Sequence, residues 1–467
     1  MQICFGSVNQ NIDPIHNIYR RVEKSAEPDN GYVIFKNSSG AAYTLPFAFL
    51  DDYFRWPMMA SNVKNTLMPT YARLPVSFVK GEGVWLIDDA GRRYLDGVAG
   101  ISVCNLGHAH PQIANAIADQ ASQLLHTSNL YQIPLQTELA QQLCELSGMD
   151  RVFFGNSGAE ANEAAIKLAR LHGHAKDIEN PLIIVAEQSF HGRTLATLSA
   201  TGNRKVHVGF EPLVGGFVRV PYDDLEAIRR VAEINPDVVA VLVEPVQGEG
   251  GVQVPDADYL TGIRQICNQQ GWLMMLDEVQ TGMGRCGGWF AFQHAGSDSA
   301  ARPDVMTIAK ALANGVPIGA CLVAGAASDL MQPGHHGSTF GGNPLACRAA
   351  LETLAVMKAG KVPGQVAAKG VRIRQRLIDG LKGCSGVVEV RGVGLLCGVE
   401  LDRPCAELVT RALDRGLLIN VAAGNVIRLI PPLIMTDEQL DEQLDELADG
   451  VVQLVAEFVA DSGALEG

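Results

Sequence analysis

The sequence predicts an α/β chain: a large domain with a mainly parallel sheet flanked by helices, joined to a smaller α+β domain. Beyond residue 110, helical stretches alternate with the compact runs RVFFGN, PLIIVAE, VVAVLVE, WLMMLDE and DVMTIAK. These are apolar on successive residues, as strands covered on both faces are. After about residue 350 the text changes to amphipathic helices, LETLAVMKAG and VRIRQRLIDGLKG, and short strands, VVEVRG, GLLCGVEL and NVIRLIPP. With 467 residues, 47% of them hydrophobic, the chain can bury a large core and divides most simply into two or so domains.

In chain order, residues 1–67 show little periodicity and are expected to be a poorly ordered or accessory leader. Met58, Met59 and Met68 lie near its end, so an upstream start would explain the leader as well as a functional extension would. Residues 68–118 are expected to open the small domain. Within them VWLIDDAGRRYLDGV reads as two short strands around an Asp-Ala-Gly turn. Residues 119–349 are expected to form the large, ligand-binding domain, and residues 350–467 the rest of the small one, which takes up the early hairpin. No internal repeat or low-complexity tract interrupts this order.

Composition narrows the function. No run approaches the ~20 apolar residues that span a bilayer, and the N-terminus lacks the pattern of an export signal, so a soluble, cytoplasmic protein is expected. Ten cysteines without a CxxC pair suit reduced thiols better than a disulfide framework or zinc knuckle. A formal charge of −14 opposes general attraction to nucleic acid or an anionic membrane.

Three of the apolar runs end in Glu244, Asp277 and Lys310, and ligands of open α/β sheets collect at the carboxyl ends of strands. RVFFGNSGAEANEAAIKLARL adds a strand, a turn and a helix whose face is Ala161, Ala164, Ala165, Leu168 and Ala169. Ser157 and Glu160 have the spacing of a capping box. The free N–H groups at Ser157, Gly158 and Ala159 make a phosphate site, or simply a capped helix start. GNSGA also nearly matches a nucleophile elbow, which would make Ser157 a hydrolase nucleophile, but its fifth residue is Ala159 rather than Gly.

Asp277, buried at a strand end, needs a cationic partner such as a protonated pyridinium nitrogen, or else a structural ion pair. Lys310 enters a small-residue turn, where loss of water lowers an amine's pKa and frees it to react with an aldehyde. HGSTFGGNP could hold phosphate or merely turn the chain. Gly282, Gly284 and Gly287 spell GxGxxG, yet the following text does not read as the helix of a dinucleotide site. The histidine pairs 108/110, 172/174 and 335/336 lack companions at metal spacing, and no metal is expected.

Taken in order, GNSGAEAN, FHGRT, EPVQGEGG, LDEVQTGMGR, AKAL and GSTFGGNP resemble the class III, ornithine-type aminotransferases, from about residue 68 to 460. The resemblance implies the fold type I of transferases that depend on pyridoxal 5'-phosphate. It implies that Lys310 carries that cofactor as a Schiff base and that Ser157, Gly158 and Ala159 hold its phosphate. Phe190 would stack on the ring, Asp277 pair with the ring nitrogen, Val279 pack beneath and Gln280 approach the ring hydroxyl. Thr339 would reach the phosphate from the partner subunit of a homodimer.

For substrates the resemblance assigns Arg193, Ser338 and Tyr71 to the amino donor. Arg428 would hold the α-carboxylate of 2-oxoglutarate or glutamate, and Glu249 would gate it. Ile101 stands where ornithine-specific members carry a second tyrosine, which favours N2-acetylornithine as donor. Ornithine, succinylornithine and 4-aminobutyrate remain alternatives.

Overall fold

The computed structural model describes residues 32–36, 42–46, 66–294, 300–434 and 437–463. The chain divides into two compact units, Met1–Arg73 and Leu74–Gly467.

In the first unit, β1 (Tyr32–Lys36) pairs antiparallel with β2 (Ala42–Pro46), with Tyr32 opposite Pro46. This pairing departs from the poorly ordered or accessory leader expected there. YVIFK and AYTLP are rich in aromatic and β-branched residues, but each is too short to display a period. The rest of the leader reading, including Met58 and Met59, lies outside the described residues.

The second unit opens with β3 (Phe78–Glu82), β4 (Trp85–Asp88) and β5 (Arg93–Asp96), the last two forming the expected hairpin. Helices α1 (Pro111–Gln123) and α2 (Pro134–Ser147) lead to β6 (Arg151–Gly155) and α3 (Gly158–His174). Next come β7 (Leu182–Ala186), α4 (Leu195–Ala200), β8 (Phe217–Val220), α5 (Leu225–Ile234) and β9 (Val238–Val243). They are followed by α6 (Tyr259–Gln270), β10 (Leu273–Asp277), β11 (Val305–Ile308) and β12 (Gly319–Val323).

These strands form one sheet in the order β6-β12-β11-β10-β9-β7-β8. Each pairing is parallel except those of β12, which runs antiparallel to both neighbours. Every residue of β9, β10, β11 and β12 is buried, which explains why their text shows no alternation. On α3 the expected stripe of Ala161, Ala164, Ala165, Leu168 and Ala169 is buried. Each fully buried Leu, Ile or Val contributes roughly 1.5–3 kcal/mol to keeping the layers together.

The C-terminal part carries α7 (Pro344–Ala359), α8 (Val362–Gly380), β13 (Val387–Val393), β14 (Leu396–Leu401) and α9 (Leu408–Asp414). It ends with β15 (Leu417–Leu418), β16 (Asn420–Ala422), β17 (Val426–Leu429) and α10 (Asp437–Gly463). Strands β13-β14-β17-β16 form an antiparallel sheet, while β15 joins β5, β4 and β3 with Leu417 beside Leu95.

Fully buried Arg285 ties these parts together. It donates to Ser102 Oγ, Asn105 Oδ1, and the carbonyls of Leu395 and Pro431. Among the described residues, no helix is long and apolar enough to cross a membrane.

Candidate active site

The carboxyl ends of β6, β7, β9, β10 and β11 meet at one edge of the large sheet. A cleft of about 450 Å³ there is lined by Ser157, Gly158, Ala159, Phe190, Arg193, Glu249, Asp277, Val279, Gln280 and Lys310. Residues expected from separate motifs thus face one space, where strand order rather than sequence proximity assembles them.

At the end of β6, Ser157 adopts an extended conformation and its Oγ accepts the Glu160 N–H at 3.2 Å, capping α3. The capping box is only half as expected, because the Glu160 carboxylate accepts from Asn156 instead of the Ser157 N–H. Asn156 offers it both its backbone N–H and its side-chain amide, the latter at 2.9 Å, and two donors outcompete one. The first N–H groups of a helix have no intrahelical acceptor, so those of Gly158 and Ala159, at the cleft, are available to an anion. A side chain at Gly158 would put its Cβ 2.8 Å from Val279 Cγ1, so only glycine lets the turn lie against Val279.

Beneath this turn, Asp277 is 4% exposed. Its Oδ2 accepts from Asn162 Nδ2 at 2.7 Å and is paired with His191 Nδ1 at 2.8 Å, while Oδ1 accepts the Val279 N–H at 3.1 Å. Asn162 is held in turn by Thr307 Oγ1 at 2.7 Å and by the His191 carbonyl at 2.8 Å. Burial pulls the His191 pKa down, but the hydrogen bond and charge of Asp277 outweigh it and the net shift is upward. The contact gives the buried Asp277 carboxylate a partner that compensates its desolvation.

Glu244, just beyond β9, accepts the N–H groups of Phe190 at 3.1 Å and Gly248 at 3.4 Å. It therefore fixes the loop that carries the Phe190 ring. Burial and the nearby Asp277 charge raise its pKa to about 7, against the opposing charge of His191.

Lys310 follows β11 in a left-handed conformation (φ 42°) and opens a 3-10 turn. A non-glycine residue held there is uncommon and carries local strain. Burial lowers its pKa from the ordinary 10.5 to about 8; Arg428 adds to the fall, and Glu249, Asp277 and Glu244 oppose it. The result is an amine that loses its proton within reach of neutral pH.

Arg428, on β17, is 1% exposed, and its Nη1 lies 2.8 Å from Glu249 Oε1. Its other contacts are Gln280 Oε1, 3.4 Å from Nη1, and Asn420 Oδ1, which takes Nε and Nη2. Gln280 reaches this position because Gly248 has no side chain: a Cβ there would fall 1.8 Å from Gln280 Oε1. Arg193 is exposed and lies 5.7 Å from the Phe190 ring centre.

Three expected site residues of the second unit, Ser338, Thr339 and Arg428, do not themselves line the cleft. Ser338 accepts from Asn156 Nδ2 at 3.2 Å, and its neighbour Thr339 is exposed; neither lines the cleft within this chain. Tyr71 belongs to the first unit, exposed and with the Arg73 guanidinium 5.6 Å from its ring. Ile101 is exposed with φ 66°.

Asn162, His191, Thr307 and Asn420 carry no role recognisable from sequence, although GNSGAEAN and FHGRT contain the first two. The signal available was their polarity within otherwise small or apolar text. The glycines 282, 284 and 287 lie in a succession of turns after β10 rather than at a helix start. No group of His, Cys, Asp and Glu among the described residues could hold a metal ion.

A sheet of this order, with an amine, a paired carboxylate and a free helix start at one edge, defines an enzyme that binds a phosphorylated, cationic aldehyde. The family described as aminotransferase class-III matches residues 67–451, and the chain belongs to it. It is a pyridoxal-phosphate-dependent aminotransferase of fold type I. This removes the serine hydrolase reading, and Ser157 Oγ serves as a helix cap.

The acetylornithine aminotransferase of Nitrosomonas europaea is 57% identical over 369 residues, covering 79% of this chain and 93% of that protein. Acetylornithine aminotransferase 1 of Bordetella pertussis is 53% identical over 377 residues, 81% of this chain and 95% of that one. Among solved structures, the ornithine aminotransferase from Toxoplasma gondii superposes with a TM-score of 0.78 at 33% identity, covering 88% of this chain and 95% of that one. The acetylornithine aminotransferase from Elizabethkingia anophelis gives 0.72 at 34% identity, covering 87% and 98%.

The residues present fit the cofactor. The cradle at Gly158 that a Cβ would fill, the free helix start, the buried Asp277 carboxylate, the flanking Phe190 and Val279 and the Lys310 amine match its phosphate, ring nitrogen, two faces and aldehyde.

Proposed function

We propose that the enzyme transfers the side-chain amine of N2-acetylornithine to 2-oxoglutarate, yielding N-acetylglutamate 5-semialdehyde and glutamate, a step of arginine biosynthesis. The observation that carries this reading is the buried Arg428 closed at 2.8 Å by Glu249, which lines the same cleft as Lys310. A guanidinium covered by a removable carboxylate suits an enzyme that must bind a dicarboxylate in one half-reaction and exclude it in the other. The acetylornithine aminotransferases of Nitrosomonas and Bordetella support the choice of donor, as does Ile101.

Pyridoxal 5'-phosphate, when bound, takes up an amine through its aldehyde and draws the charge of the adjacent carbon into its ring. Asp277 would hold the protonated ring nitrogen, with Asn162 and His191 orienting its carboxylate. Phe190 and Val279 would flank the ring, Gln280 would serve the ring hydroxyl, and Ser157, Gly158 and Ala159 would receive the phosphate. Lys310 would anchor the cofactor through its amine and, with its pKa lowered by burial, would be placed to hold or release the proton moved in each half-reaction. A positioned base of this kind typically supplies ~10²- to 10⁴-fold in rate.

Arg193, Ser338 and Tyr71 are assigned to the donor, Arg428 and Glu249 to the acceptor. Thr339, exposed in the single chain, is read as reaching the phosphate of a partner subunit in a homodimer.

Mixing the holoenzyme with acetylornithine, succinylornithine, ornithine or 4-aminobutyrate, and following the cofactor absorbance, tests the donor. Acetylornithine should give the highest ratio of rate to half-saturating concentration. A higher ratio for ornithine or 4-aminobutyrate would overturn the assignment.

A further inference from the structure

Arg428 is a cation taken almost wholly out of water, at 1% exposure. Burying a guanidinium is costly unless its N–H groups find acceptors. One acceptor must come and go: Glu249, whose carboxylate meets Nη1 at 2.8 Å and whose side chain is 40% exposed. Another is held by the fold. Asn420 Oδ1 lies 3.2 Å from Nε and 2.6 Å from Nη2, gripping the side edge of the guanidinium with a single oxygen. Asn420 on β16 stands directly opposite Arg428 on β17, so strand register puts both side chains on one face.

We propose that Asn420 is a positioning residue that selects the dicarboxylate acceptor, by fixing which edge of Arg428 meets it. With Nε and part of Nη2 occupied, Nη1 and the remaining Nη2 hydrogen form a fork directed at the place Glu249 holds. When Glu249 withdraws, that fork offers two parallel hydrogen bonds to the α-carboxylate of the keto acid, a geometry that needs the guanidinium plane fixed in advance. Gln280 Oε1, at 3.4 Å from Nη1, is too distant to fix it alone. An amide also suits the task better than a carboxylate. Its oxygen orients the cation without neutralising it, whereas an aspartate would occupy Arg428 permanently and compete with substrate.

This inference rests on the assignment of Arg428 to the acceptor carboxylate, and the experiment separates the two. Holoenzymes carrying Asn420→Leu, Asn420→Asp or Arg428→Ala are compared for the 2-oxoglutarate half-reaction, the acetylornithine half-reaction and the equilibrium binding of unreactive glutarate. Asn420→Leu should raise the half-saturating 2-oxoglutarate concentration and the glutarate Kd about tenfold or more, the size of one hydrogen bond to a charged group. The acetylornithine half-saturation should move far less. Asn420→Asp, isosteric with the native side chain, should weaken acceptor binding further, and it decides the question where the leucine variant does not fold. If Asn420 variants keep native affinity for both dicarboxylates while Arg428→Ala loses it, the inference is overturned and the Arg428 assignment stands. If Arg428→Ala also keeps it, the assignment itself falls, and the inference with it.

Discussion

His191 and Asp277 meet in the interior with Nδ1 and Oδ2 2.8 Å apart, and the same oxygen takes the Asn162 amide at 2.7 Å. Together the two contacts fix the orientation of the carboxylate, as the partner of a cationic ring nitrogen must be. Asp277→Asn removes the charge and leaves the shape. The donor half-reaction should slow on the order of a hundredfold or more, the scale of losing a preorganised electrostatic partner. Retention of the native rate in stopped-flow measurements would show that Asp277 does not serve the ring.

Lys310 must be neutral to attack an aldehyde, and its pKa is lowered to about 8. Uptake of pyridoxal 5'-phosphate by the cofactor-free enzyme should therefore accelerate as pH rises through about 8 and then level off. Glu249 favours the charged amine, so Glu249→Gln should move that midpoint to lower pH. An identical profile in the variant would mean that the two groups are not coupled. In the native holoenzyme, borohydride should fix the cofactor to Lys310.

Gly158→Ala tests the cradle. The added methyl meets Val279 Cγ1 at 2.8 Å, and such overpacking typically costs about 1–3 kcal/mol. Cofactor affinity should fall by more than the thermal midpoint of the cofactor-free protein, because the turn that must shift is the one that binds phosphate. Unchanged affinity, measured by equilibrium dialysis, would contradict the phosphate assignment.

His108 pairs with Asp96 at 2.7 Å within the second unit. Burial pulls its pKa down, yet the hydrogen bond and charge of Asp96 outweigh this and raise it from 6.5 to about 9. A histidine with a raised folded pKa contributes stability that is fully present below 6.5 and is lost as pH climbs through about 9. Denaturant unfolding across that window should show a decline that His108→Gln abolishes. A parallel decline in the variant would assign the pH dependence to other groups.

Much of the site was legible because its chemistry is local. Lys310, Asp277 and the Ser157 turn each sit at the end of an apolar run, and a run is visible in one dimension. Strands β8 and β12 were not foreseen: FVRV is short and interrupted by Arg219, and GACLV begins with small residues that read as part of a turn. Partners brought in by the fold were also hidden. Asn162 is 115 residues from Asp277 and His191 is 86, so no spacing rule links them. Asn420 is only 8 residues from Arg428, but their meeting depends on a strand register that periodicity does not specify.

The reversed strand β12 lies between β6 and β11, so the phosphate turn and Lys310 are separated by a strand made later in the chain than either. Its first residue, Gly319, pairs with Gly155. Gly315, Val316, Pro317 and Ile318, which lead into β12, line the cleft, so it is complete only when that strand is in the sheet. The cofactor is then a ligand of the completed sheet alone. By mass action it favours finished molecules over partly folded ones, by about 2.7 kcal/mol at a hundredfold excess over its Kd. Cofactor supply in the cell would then govern how much of the protein survives, as well as how fast it works.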